Sequence, residues 1–429
     1  MDLKRNIGFW GASFLVLNGL IGAGIFALPA KMADALGAAS PWIFLLFGAL
    51  MLSIVWCFGQ LAVKLQDTGG PTVYSEAAFG KFTSFQTGWL YYLARATAIA
   101  ANMHVLLLYA GYLWPELHST LGQSLAILVI SGLLIWVNVT GVKTAIRALD
   151  GITLLKLLPF IVLIAVGVAS LPESESAPAM PALDTVGAGA LLTLYAFIGF
   201  ETVVVTSGET RNPAKTIPRA LIFTVMAIAL FYFTVQYIYW HTMGAAEPDD
   251  APLIALADAL FGPTGALVMT LTAVFSVAGN LLANSISTSR LTFAMAKEKI
   301  LPAVFAHVHP RYATPDVSIM ILGTFAAIMA LSGGFVWLAI ASVLARLLVY
   351  ILCIVALLKL QHQKRWLAEA SGVKLAVAWI VPVIAIATCV WSVAQSKPDA
   401  WWFLIGECIA GCLLYLFLQK RTRMNSDAS

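Results

Sequence analysis

The chain has 429 residues, of which 60% are hydrophobic and only 11% charged, with a formal net charge of +4 and a mean hydropathy of +0.88. Soluble domains carry about a quarter of charged residues, so the composition excludes an ordinary soluble protein and implies an integral membrane protein. The basic excess sits at the ends of apolar runs and marks topology; no nucleic-acid partner is read from it.

In chain order the apolar runs cover about 7–33, 41–63, 84–113, 123–142, 151–171, 186–206, 219–243, 263–293, 317–332, 335–358, 374–395 and 401–419. Each is compatible with a helix crossing ~30 Å of hydrocarbon, which predicts an all-α protein of twelve transmembrane helices with no separate soluble domain. The start Met1-Asp2-Leu3-Lys4-Arg5 is basic like a signal peptide. The apolar run behind it is too long and lacks a small-residue cleavage site, so it is expected to remain as the first span.

That first span holds Gly19-Leu20-Ile21-Gly22-Ala23-Gly24-Ile25-Phe26 at its centre. Each glycine costs a helix roughly 1 kcal/mol relative to alanine and removes the side chain that would keep a ligand off the backbone. A broken helix at membrane depth survives only where its freed peptide groups line a protein or solvent cavity, which points to a binding site. The other reading is a close helix crossing through small residues.

The stretch from Asp67 to Gly80 has a Gly69-Gly70-Pro71 turn and then residues suited to a short helix at the membrane surface. Span three carries Arg95 and His104. Arg95 lies about twelve residues from the inner end, roughly 18 Å at 1.5 Å per residue, too deep to snorkel easily. It faces either an aqueous cavity or a structural ion-pair partner such as Glu201 or Glu407. His104 reads as a neutral, hydrogen-bonding core histidine. Lys156, near the start of span five, is either a snorkelling anchor or a desolvated lysine that gains and loses a proton.

Span six contains Tyr195-Ala196-Phe197-Ile198-Gly199-Phe200-Glu201, again with an Ile-Gly pair at mid-membrane. Five helices reverse the direction of insertion, so spans one and six are the pair that an inverted repeat would set opposite each other around a midplane site. This correspondence favours binding over packing. The polar residues of span eight, including Asn280, Asn284, Ser285, Ser287 and Ser289, either line a cavity or bond across helices. Arg346 and Glu407 are further buried charges, the latter expected in a structural or subunit-contact role.

With an even number of spans both termini share one side. Lys4, Arg5, Arg211, Lys215, Lys297, Arg311, Lys420 and most other basic residues collect at one set of ends and loops, against Lys31 and Lys397 on the other. The positive-inside rule then makes both termini cytoplasmic. Cys57, Cys353, Cys389, Cys408 and Cys412 all fall in predicted spans, an arrangement suited to packing and not to a disulfide framework or a zinc site.

With these residues in view, the chain resembles an amino acid permease of the amino acid–polyamine–organocation (APC) superfamily, from about Lys4 to Lys420. The carriers are Gly22-Ala23-Gly24-Ile25-Phe26, Gly69-Gly70-Pro71 with Tyr74 and Phe79-Gly80, Phe197-Ile198-Gly199-Phe200-Glu201, Glu209-Thr210 with Asn212-Pro213 and Ile217-Pro218, and Arg290 with Leu301-Pro302. The resemblance implies a leucine-transporter (LeuT-type) fold, a 5+5 inverted repeat plus two peripheral helices. The first repeat would occupy 1–171, the second 186–359, the peripheral pair 374–419 and a cytoplasmic tail 420–429.

It also implies a non-enzymatic, cofactor-free amino acid carrier in a plasma membrane, the bacterial inner membrane, working by alternating access. The amides of Gly22, Ala23 and Gly24 would hold the substrate carboxylate, and carbonyls near Gly19, Leu20, Phe197 and Ile198 the ammonium. Ile21, Gly199 and Asn284 complete the substrate-binding set, with Tyr195 and Phe200 at gating or side-chain-pocket positions. Lys156 stands where sodium-coupled relatives bind an ion, so proton coupling or exchange is expected, with Lys156 and Glu201 as the coupling residues. Ala23 lacks the hydroxyl many members have there, and Arg95 falls on the face that lines the side-chain pocket, where it would favour an acidic or polar side chain. The alternative is a transporter-like receptor acting through a partner.

Overall fold

The computed structural model describes residues 5–141, 156–171, 182–244, 251–298, 300–363, 366 and 372–427. Among them every regular element is helical, and the β content is one isolated parallel bridge between Ile7 and Thr210. The acidic stretch 172–176 and the basic residues Lys4, Lys143, Arg147, Lys299, Lys364 and Arg365 lie outside the described residues.

The chain opens with α1 (Phe9–Leu20) and α2 (Ala23–Leu36), separated by Ile21 and Gly22. Next come α3 (Ser40–Lys64), α4 (Pro71–Phe79), α5 (Lys81–Ala110) and α6 (Thr120–Thr140). After α7 (Leu157–Ala169), a second interrupted segment forms from α8 (Leu183–Ala196), five turn residues and the short α9 (Thr202–Val205). The chain closes with α10 (Pro213–Met243), α11 (Pro252–Lys297), α12 (Asp316–Ser332), α13 (Phe335–Gln363), α14 (Gly372–Ala394) and α15 (Pro398–Asp427). Among the described residues, eight helical stretches are long and apolar enough to cross a membrane, while Phe9–Leu20, Leu157–Ala169, Thr185–Ala196 and Asp316–Ser332 are apolar but shorter.

Local chemistry explains the boundaries. Prolines occupy the first turn of α3, α4, α10 and α11, where a missing N–H leaves no bond unmade. Ser119 caps α6 by accepting from the Gly122 amide at 3.0 Å, and Gly141, left-handed at φ 64°, ends it. Within α11, Gly262 at φ 67° followed by Pro263 puts a kink between a leading segment and the long helix behind it. The predicted run from 263 thus begins at that kink.

The expected short helix after Gly69-Gly70-Pro71 forms as α4. It is tucked into the bundle, with Tyr74 and Ser75 buried and Thr87 Oγ1 donating to Ser75 Oγ at 2.8 Å.

Burial sorts the helices into layers. On α5 and α13 buried residues fall on all sides, whereas α6 turns Leu121, Leu125, Leu128, Val129, Leu133 and Trp136 outward. An apolar face of that size suits lipid, not water. Lipid tails are as apolar as leucine, so helices associate there through close packing. The α3–α10 pair, the most extensive contact, shows how: a Cβ on Gly48 would sit 2.4 Å from that of Ala229.

Candidate functional site

The two interruptions meet. A Cβ placed on Gly19 would lie 2.4 Å from the Gly199 carbonyl oxygen, and one on Gly199 would lie 2.4 Å from that of Gly19. Gly199 also holds φ +112°, a conformation side chains rarely adopt. Both the close-packing and the broken-helix readings of the first span are therefore realised: glycines bring the backbones together at the point where both helices are interrupted.

Beside this junction lies a cavity of about 320 Å³. Of the predicted residues, Gly19, Leu20, Gly22, Ala23, Gly24, Arg95, Tyr195, Ile198, Gly199 and Asn284 line it. Ile21, Phe197, Phe200, Lys156 and Glu201 do not. Phe197 packs edge-on to Tyr232, and Phe200 packs against Phe58 and Tyr350 in the buried layer behind the break.

Peptide groups released at the first break are mostly tied off by side chains. Tyr232 Oη donates to the Leu20 carbonyl at 2.7 Å, which also accepts the Gly22 amide at 2.9 Å. Asn280 Nδ2 donates to the Asn18 carbonyl at 2.9 Å. Lys156 Nζ donates to Asn18 Oδ1 at 3.0 Å and to the Ile21 carbonyl at 3.3 Å, so the lysine points into the break and does not snorkel outward. The amide of Gly22 and the carbonyl of Leu20, both expected to meet a ligand, are thus already bonded to each other. The first turn of α2 has no side-chain cap, and its N–H groups leave the positive end of a helix directed at the cavity.

The second break is held by charge. Glu201, fully buried, accepts from Arg346 Nε at 2.8 Å, from Tyr350 Oη at 3.1 Å and from the Gly199 amide at 3.0 Å. Arg346 also donates to the Ala94 carbonyl at 3.1 Å and to Ser342 Oγ. Glu201 therefore spans the interruption and fastens it to α13 and α5.

Of the two readings of Arg95, the cavity holds and the ion pair with Glu201 or Glu407 does not form. Glu201 belongs to Arg346, and Glu407, on the far side of α5, receives Trp89 Nε1 at its backbone carbonyl while its Oε2 has no hydrogen-bond partner. Arg95 instead donates to Tyr91 Oη at 2.7 Å, Thr288 Oγ1 at 2.8 Å and Ser287 Oγ. His104 Nε2 donates to the Ala330 carbonyl at 2.9 Å, so it hydrogen-bonds within the bundle as expected.

Span eight satisfies both of its readings on different faces. Asn284 and Ser287 line the cavity, while Ser285 accepts Asn138 Nδ2 across helices at 2.8 Å.

Asn18, Asn102 and Arg346 also line the cavity and stand outside the predicted binding set. Tyr195 Oη donates to Asn102 Oδ1 at 3.1 Å, and Asn102 Nδ2 to Asn280 Oδ1 at 2.7 Å, so a chain of amides joins α8, α5, α11 and α1. A signal existed: Asn102 follows Arg95 by seven residues, which puts both on one helix face. Towards the other end, Tyr195 meets Phe335 edge-on at 5.6 Å, and Phe335 lines a second cavity of about 330 Å³ with Lys31, His104 and His118. The aromatic pair stands between the two spaces.

The sequence profile of a family described as amino acid permease matches residues 7–415. The chain belongs to the amino acid permease family. Among curated relatives, the permease is 28% identical over 398 residues to the serine/threonine exchanger SteT of Bacillus subtilis (strain 168), covering 90% of this chain and 89% of that protein. It is 25% identical over 461 residues to the branched-chain amino acid permease BcaP of the same organism, covering 99% and 95%. It is 24% identical over 447 residues to that organism's methylthioribose transporter, with the same coverage. These relatives are transporters and permeases, not enzymes, and the chain is a multi-pass membrane protein of their kind.

Proposed function

We propose that the permease is a secondary amino acid transporter that works by alternating access on a LeuT-type scaffold of twelve spans, with repeats at 1–171 and 186–359. One observation carries the reading: two interrupted helices touch through Gly19 and Gly199 beside a cavity onto which the uncapped start of α2 opens. A zwitterion fits that arrangement. Its carboxylate meets the positive helix end at Ala23 and Gly24, and its ammonium meets carbonyls near Gly19 and Ile198.

The cavity extends from the junction along Leu15, Thr202 and Thr206, while the Tyr195–Phe335 pair stands across the opposite side. With both termini cytoplasmic, this is an inward-facing arrangement in a bacterial inner membrane. Transport requires the aromatic pair to part while α1 and α9 close. The Lys156 ammonium, bonded to Asn18 and Ile21, fills the place of a coupling cation, which supports sodium-independent exchange or proton-linked movement.

Purified permease in proteoliposomes preloaded with amino acids is expected to exchange them for labelled external amino acid without sodium. Absence of flux for all twenty amino acids, under both counterflow and a pH gradient, overturns the reading.

A further inference from the structure

Two arginines line the cavity, and no carboxylate is among the described residues that do. Arg346 is balanced by Glu201 at 2.8 Å. Arg95, 6% exposed, takes part in no ion pair among the described residues. Its contacts are three neutral hydroxyls, with the guanidinium carbon 5.3 Å from the Tyr91 ring centroid.

Those hydroxyls are themselves oriented. Ser287 Oγ donates to the Ala283 carbonyl at 3.0 Å and Thr288 Oγ1 to that of Asn284 at 2.7 Å, leaving their oxygens to accept from Arg95. A guanidinium carries five N–H donors, and a carboxylate is bound end-on by a pair of them on adjacent nitrogens. Nε, Nη1 and Nη2 each spend one donor on a hydroxyl. One N–H therefore remains on each terminal nitrogen, beside a cavity that supplies no counter-charge.

We propose that Arg95 is the specificity residue for an anionic side chain, and that the preferred substrate is an L-amino acid bearing a side-chain carboxylate. The inference rests on the transport reading above and adds the substrate class. An acidic amino acid supplies one negative charge beyond its zwitterion, which compensates Arg95. A neutral side chain leaves the buried guanidinium with its hydroxyl partners and no counter-charge.

The test compares acidic amino acids with their amide isosteres, which match them in shape. In thermal-shift titrations of the wild-type permease, L-glutamate or L-aspartate is expected to act at about tenfold or more lower concentration than L-glutamine or L-asparagine, the scale of a charge-assisted bidentate contact. In counterflow, Arg95→Gln is expected to lose that preference and accept the amide, while Arg95→Lys keeps part of it. If neutral amino acids bind and exchange while acidic ones do no better than their amides, the proposal fails and the transport reading stands. If none of the twenty binds or moves, both fall. Should Arg95→Gln fail to fold, the wild-type titration decides the matter alone.

Discussion

The two interrupted helices share a glycine contact yet are secured by opposite chemistry. At the first break the carbonyls of Asn18, Leu20 and Ile21 are met by Asn280, Tyr232 and Lys156, side chains from three separate parts of the chain. At the second, one carboxylate, Glu201, collects an arginine, a tyrosine and the Gly199 amide. Spread-out bonds at the first can be exchanged singly. A single buried charge cluster at the second fails as a unit, because removing one member strands the others.

The largest expected effect comes from breaking that cluster. Glu201→Gln leaves Arg346 buried without its counter-charge and is expected to lower the free energy of unfolding in mixed micelles by about 3–5 kcal/mol. Adding Arg346→Met to it should recover part of the loss. Fully additive effects in this double-mutant cycle would show that the pair does not act as one unit.

Next in size is the contact between the breaks. Gly199→Ala must hold φ +112° and meet the Gly19 carbonyl at 2.4 Å, so a loss of about 1–3 kcal/mol is expected together with lost counterflow. Gly132→Ala, where a Cβ meets open space within a helix, serves as the contrast and should be neutral or mildly stabilising. Equal behaviour of the two variants would remove the close-approach argument.

The smallest effect belongs to the first break. Tyr232→Phe deletes one of two donors to the Leu20 carbonyl, and a loss of about 1 kcal/mol or less is expected by the same unfolding measurement. A loss as large as that of Glu201→Gln would erase the distinction between the two breaks.

Much of this was legible in order along the chain. Glycines at 19, 22 and 199 mark both interruptions because a missing Cβ is a local property. The depth of Arg95 within an apolar run marks a polar space for the same reason. The Gly262-Pro263 kink carried an equally local signal. The hydrogen-bonding role of His104 followed from its lone position on an apolar helix.

Pairings were not legible. Arg95 and Arg346 look alike as buried charges, and either could reach Glu201 from sequence spacing alone. Which one does depends on the rotation of α5 and α13 about their axes, set by packing against helices more than a hundred residues away. The same holds for Lys156, whose two expected orientations differ by which face of α7 meets α1.

Composition, apolar length and glycine placement thus determined by themselves that this is a helical membrane protein with two broken spans, since each is fixed by solvent preference or by a residue's own backbone freedom. Tertiary structure alone decided that Glu201 neutralises Arg346 and that Arg95 is left facing the cavity with donors to spare. Charge pairing depends on distances across helices, and those arise only when the faces of the bundle come together.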